Sequence, residues 1–282
     1  MITFISVSIL WGVKMKFLTL VEIEIKKILP WLATLFIGLT VALGGMFYRT
    51  IKLFKQDIMP KLLESSVDEY VKNNGQLTLG KVFDGSSMIP LLLIFAAIIL
   101  ACITFYLWYK EWFGYSKRIY MLLSLKGQRF SIFLSKLLVS VVSFFIFYGV
   151  VLLNLAIGGL LMNIILPEGI VANNLIQGAL AQSNYIGMIL PLTLGDFLYK
   201  MLFIILMFNL ISVFVLADRS KRILGLIFGL IYGIANVVIF VYTKTLFLFV
   251  DERFFVNWGF VVVATVLSMG ISAWLLNKKV SI

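Results

Sequence analysis

Apolar residues in this chain gather into six long runs, at 30–48, 88–109, 137–161, 201–217, 223–242 and 258–276, and none of these runs carries an ionisable side chain. Each is close to the ~20 residues that a helix needs to cross a bilayer. Hydrocarbon offers backbone amides no water, so a crossing segment must be a helix or part of a closed barrel. Strands of a barrel alternate apolar and polar residues, and these runs do not. The pattern therefore predicts an all-α polytopic membrane protein with six transmembrane helices in a single domain.

Charge gives the expected orientation. With the N-terminus cytoplasmic, fifteen of the 24 Lys and Arg fall on inner segments and nine on outer ones. Only four of the 13 acids are inside, so the whole formal charge of +11 lies on that face. This satisfies the positive-inside rule and places both termini in the cytoplasm. Such a face suits anionic membrane lipids or an acidic protein partner. Nucleic acid fits poorly, because the cations are spread over four short segments. Richness in Lys, Ile and Phe fits a bacterial cytoplasmic (inner) membrane.

Other chemistry is largely excluded. The chain has no His and a single Cys, Cys102, within the second run, where it reads as a small packing residue. Zinc sites, histidine acid–base catalysis, haem and disulfides have almost nothing to work with. Glu111, Glu168, Asp196, Asp218, Asp251 and Glu252 are scattered without motif spacing, so no catalytic residues or metal ligands are expected. Gly75, Gly80 and Lys81 start a phosphate-loop pattern that fails at Val82 and follows no strand.

Between the runs lie shorter elements. Residues 1–13 are apolar but too short to span, and Met15 is as plausible a start as Met1. Residues 15–29 pair Glu22 with Lys26 and Glu24 with Lys27 at helical spacing, and present an apolar side through Phe17, Val21, Ile25 and Ile28. Alternation at Val21, Ile23 and Ile25 also allows a strand. The preferred reading is an N-terminal amphipathic interfacial helix that gives way to the first span at Pro30. Segment 49–87 is the one large hydrophilic block, an extracytoplasmic loop whose helical spacing is interrupted at Pro60 and which turns at Asn73, Asn74 and Gly75. It could form a small cap. Segment 163–200, broken by Pro167, Gly187, Pro191 and Gly195, reads as an outer loop with interfacial or re-entrant pieces.

The cytoplasmic segment 110–136 says most. Ser116 suits an N-cap, Ile119, Leu122 and Leu123 have helical spacing, and Gly127 suits a stop. This predicts a short amphipathic helix between spans two and three, its apolar face covered by lipid, by the N-terminal helix or by a partner. The residues Lys110-Glu111-Trp112, then Arg118 to Leu125, then Gln128-Arg129 and Ser135-Lys136-Leu137-Leu138 resemble the second cytoplasmic region of ABC-2 type transporter permeases. In place of the Leu-Pro that many members have before the basic residue, this chain has Leu125-Lys126-Gly127. The resemblance implies six spans, a leading amphipathic helix, and a short cytoplasmic coupling helix that docks on a separately encoded nucleotide-binding ATPase. By that resemblance Lys110, Glu111, Ser116, Lys117, Arg118, Tyr120, Lys126 and Arg129 form the ATPase-coupling set. ATP and Mg would be held by the partner subunit, with no cofactor in this chain, and a second permease copy or paralogue would complete the transporter.

A separate argument points the same way. Ion-driven carriers keep carboxylates at bilayer depth, and these runs have none, so transport energy would come from outside the chain. The chain is accordingly expected to be no enzyme. Asn154, Asn209 and Asn236 are the polar residues that could line a pathway, with hydrogen bonding between helices the alternative. Gly225, Gly229 and Gly233 form a bare strip on span five that lets another helix approach, from the same subunit or a second copy. The functional expectation is the permease subunit of an ATP-driven exporter. The alternative is a non-transporting scaffold or sensor subunit that recruits a cytoplasmic partner.

Overall fold

A computed structural model describes residues 2–64, 66–113, 129–173, 175–190, 193–246 and 249–279. Among them the helices are α1 (Ile2–Glu64), α2 (Val67–Asn74), α3 (Leu79–Asp84), α4 (Met88–Phe113), α5 (Arg129–Ile165), α6 (Leu175–Gln182), α7 (Asn184–Ile189), α8 (Leu194–Thr245) and α9 (Val250–Trp274), the last followed by a π turn at Leu275–Lys279. No named strand occurs among the described residues, only a single bridge between Leu77 and Val171. Six stretches are long and apolar enough to cross a membrane: Phe17–Leu63, Met88–Lys110, Phe130–Ile165, Leu194–Ser220, Ile223–Thr245 and Glu252–Asn277. Each contains one of the six runs read from the sequence.

The edges of these elements correct several expectations. Residues 15–29 are helical, not a strand, but they do not end at Pro30, because α1 runs unbroken through Pro30 and Pro60 to Glu64. A proline inside a helix removes one hydrogen bond, to the carbonyl four residues earlier. Both prolines, and Lys26 and Gln56 whose carbonyls lose that bond, are exposed. Segment 49–87 is therefore helical over its first sixteen residues and not a loop there. The turn after α2 matches expectation, with Gly75 at φ 71°, a conformation that favours glycine.

The chain divides into two compact units, one of residues 1–31, 100–144 and 198–282, the other of residues 32–99 and 145–197. In the second unit, α1 buries Leu39, Leu43, Phe47 and Ile51, positions three or four residues apart. Phe47 meets Phe83 of α3 with ring centroids 6.3 Å apart. Gly158 of α5 leaves room for Leu79 and Phe47, whose side chains lie 3.2–3.3 Å from where a methyl group would stand. Helix α3 is short yet buries Leu79, Gly80, Val82 and Phe83. Segments 66–87 and 163–190 are joined by the Leu77–Val171 bridge and by a 2.5 Å hydrogen bond from Ser183 Oγ to Asp84. Segment 66–87 therefore packs with 163–190 instead of standing alone.

In the first unit, α8 is assigned helical throughout, but it doubles back. Residues fifteen apart in a straight helix are separated by about 22 Å. A methyl added at Gly229 would stand 3.1 Å from Phe214 Cα, and one at Gly225 would run into the Ala217 carbonyl. The two halves of α8 are therefore antiparallel neighbours, reversing between Ala217 and Gly225. The core of this unit gathers Trp108, Phe133, Phe208, Val215, Leu216 and Leu275.

Candidate functional site

The site grows from two ionisable residues that their helices place on buried faces. On α1 the buried positions of the first unit are Val21, Glu24 and Ile28, so helical spacing carries a carboxylate into an apolar stripe. On α5 they are Ile132, Phe133, Ser135, Lys136, Val139, Ser140 and Ser143, which does the same for a lysine. Lys136 is 0% exposed and Glu24 2%. Lys136 Nζ lies 3.1 Å from Glu24 Oε1 and donates to the Leu107 carbonyl at 2.7 Å. It also stands 5.4 Å from the centroid of the Trp108 ring. Lys27, 13% exposed, adds a second contact to Glu24 at 3.1 Å. One ammonium thus joins α1, α4 and α5.

Burial decides what this pair contributes. An exposed pair such as Glu22–Lys26, at 2.6 Å and over 60% exposed on both sides, is screened by solvent and adds little. A buried pair adds little net stability compared with an apolar pair of the same volume. Removing one partner, however, strands a charge and costs about 3–5 kcal/mol. The Leu107 carbonyl and the indole face supply the further electrostatic partners that a buried ammonium requires. The sequence reading had the six spans free of ionisable groups. The helix that carries span three starts at Arg129, eight residues before the apolar run, so Lys136 lies inside the bilayer-length stretch Phe130–Ile165.

A second polar group lies on the same unit. Tyr109 OH donates to Asp218 Oδ2 at 3.4 Å, Arg219 pairs with Asp218 at 3.3 Å, and its guanidinium stands 5.5 Å from the Tyr109 ring centroid. Lys110 is exposed, its ammonium 5.0 Å from the Tyr106 ring. Residues 106–110 near the end of α4 and residues 130–136 near the start of α5, which flank segment 114–128 in the chain, thus make charge, carbonyl and aromatic contacts. Aromatic contacts reinforce them, with Phe133 5.5 Å from Phe208 and 6.4 Å from Trp108 between centroids. Of the expected coupling residues, Ser116, Lys117, Arg118, Tyr120 and Lys126 lie outside the described residues. Glu111 and Arg129 are described only as helical backbone.

The other expected residues have definite surroundings. Asn154 Nδ2 donates to Thr40 Oγ1 at 3.3 Å and to Val150 O at 2.8 Å. Asn209 Nδ2 donates to Thr265 O at 3.4 Å, and Asn236 Nδ2 to Tyr232 O at 2.8 Å. Asn154 and Asn209 therefore link helices, while Asn236 bonds within its own. Tyr232 adds a 2.8 Å hydrogen bond to Ser268. Gly225 and Gly229 pack within the subunit, whereas Gly233 has nothing within 4 Å of a would-be Cβ and lines an open apolar cleft of about 450 Å³ with Phe105, Met207 and Phe214. Cys102 is exposed and not a packing residue, because it lies on the face of α4 turned away from buried Ile103 and Leu107.

Among the described residues no group of three or more His, Cys, Asp or Glu could hold a metal ion. The buried charges are held in place by one another and by a carbonyl, an arrangement suited to fixing helices. One signal for the missed residues was present in the sequence. Glu24 keeps step with Val21 and Ile28, and extending the third helix back to Phe130 puts Lys136 in step with Ile132, Val139 and Ser140. Compared with protein-family models, with curated proteins and with solved structures, the chain has no match in any of the three.

Proposed function

We propose that this chain is the membrane-embedded permease subunit of an ATP-driven ABC exporter, in the bacterial cytoplasmic membrane, with segment 114–128 on the cytoplasmic side. The observation that carries the reading is the set of contacts that holds the helices on either side of that segment. Lys136 belongs to the Ser135-Lys136 pair on which the resemblance rests, and its ammonium grips α1, the end of α4 and the start of α5 together. A partner pressing on residues 114–128 would push against a fixed base and so move whole helices. Six apolar helices give the layout that such a subunit needs. The two most deeply buried charges of these helices, Glu24 and Lys136, are engaged with each other, which leaves energy input to a partner that binds ATP and Mg.

The test is a mild-detergent pull-down of the tagged protein from its native membrane, with mass spectrometry of what co-purifies. A stoichiometric ATPase, with or without a second six-span permease, is the expected result. Reproducible recovery of a different cytoplasmic protein and no ATPase would replace this reading with the scaffold or sensor. Reversing two charges, Lys117→Glu with Arg118→Glu, is expected to abolish ATPase stimulation while leaving membrane insertion intact.

A further inference from the structure

We propose that the Glu24–Lys136 ion pair sets the register of α1 along the paired ends of α4 and α5. The device deepens the function proposed above, because it would make the N-terminal helix move with the segment on which the partner docks. Around Glu24, α1 offers Val21 and Ile28, aliphatic side chains about one turn to either side. Displacement by one turn, about 5.4 Å, would exchange one aliphatic contact for another. Apolar packing alone therefore discriminates weakly between neighbouring registers. The ion pair does not share this tolerance. A one-turn slide would carry Glu24 away from Lys136, leaving the buried ammonium with the Leu107 carbonyl and the Trp108 ring but no carboxylate, and a buried charge that loses its counter-charge is strongly disfavoured.

The contacts of Lys136 make it a point of reference. Its ammonium bonds the backbone carbonyl of Leu107 at 2.7 Å, so its place is tied to the main chain of α4 and not to a mobile side chain. Trp108, 0% exposed, closes one side. Within α1 itself, Lys27 reaches the same Glu24 oxygen at 3.1 Å, an i,i+3 contact that orients the carboxylate and travels with the helix. Seven residues further along α1, Trp31 meets Tyr106 edge-on with centroids 6.1 Å apart. That contact reports whether the register is kept.

The protein contains one cysteine, so Cys102→Ala gives a cysteine-free background. In it, Trp31→Cys with Tyr106→Cys is treated with a short bismaleimide in native membranes. Efficient cross-linking is expected with Glu24 and Lys136 in place, and loss of it on adding Lys136→Met. Because the single variant can also fail by misfolding, the deciding variant is Glu24→Leu with Lys136→Leu, which removes both charges and strands neither. This pair is expected to insert at the normal level, yet spread its cross-links to a cysteine placed one turn away at Lys27. Undiminished cross-linking to position 31 alone, in either variant, would overturn the proposal. The result does not depend on an ATPase being recovered. Failure of the exporter reading therefore shows in the pull-down, and failure of the register device in the cross-linking.

Discussion

At the scale of single residues, burial separates side chains of the same chemistry. Glu22–Lys26 and Glu24–Lys27 were both legible as helical pairs, and both form. Their consequences differ, because Glu24 also faces Lys136 inside the protein whereas Glu22 faces solvent or headgroups. Lys136→Met is expected to lower stability by up to about 3–5 kcal/mol, since it takes away the interhelical counter-charge of the buried Glu24 carboxylate. Glu22→Gln, which alters only a solvent-screened surface pair, should leave it nearly unchanged. Thermal unfolding of the purified protein in one detergent, followed by tryptophan fluorescence, compares the two. Equal shifts would mean that Glu24 is not buried. Cys102→Ala belongs with the small effects, at under about 0.5 kcal/mol, because the thiol is exposed.

At the scale of elements, glycine substitutions distinguish a helix contact from an open face. Gly225, Gly229 and Gly233 share a strip, and sequence spacing treats them alike. Gly225→Ala would drive a methyl into the Ala217 carbonyl and is expected to destabilise by about 1–3 kcal/mol. Gly233→Ala meets nothing and should be neutral or stabilising by up to about 1 kcal/mol, through better helix propensity. Melting temperatures of the two variants therefore move in different directions or by clearly different amounts. A large loss at Gly233 would instead reveal a neighbour there, such as a second copy. In the connecting segments, Gly75→Ala forces a side chain to φ 71° and is expected to cost about 1–2 kcal/mol, read in the same assay.

At the scale of the whole molecule, the distribution of basic residues makes a topological prediction. In the Cys102→Ala background, Lys72→Cys on α2 should react with a membrane-impermeant maleimide added to intact cells. Lys110→Cys at the end of α4 should react only after permeabilisation. Both lysines are exposed, so access to reagent and not burial decides the outcome. The reverse pattern would invert the orientation and remove the cytoplasmic assignment of segment 114–128. The sequence by itself determined six apolar crossings, the helical pairs of 22–27, the turn at Gly75 and the broken character of 163–200. All of these follow from local composition, periodicity and turn chemistry. Only the tertiary structure decided that α1 continues through both prolines, that Glu24 meets Lys136 across 112 positions, and that Asp84 holds Ser183 across 99. It also decided which glycines have a neighbour. The physical reason is that periodicity fixes which residues share a face, whereas the partner of that face depends on the rotation and height of each helix. Those are set by packing summed over the whole contact, and they cannot be read from any one segment.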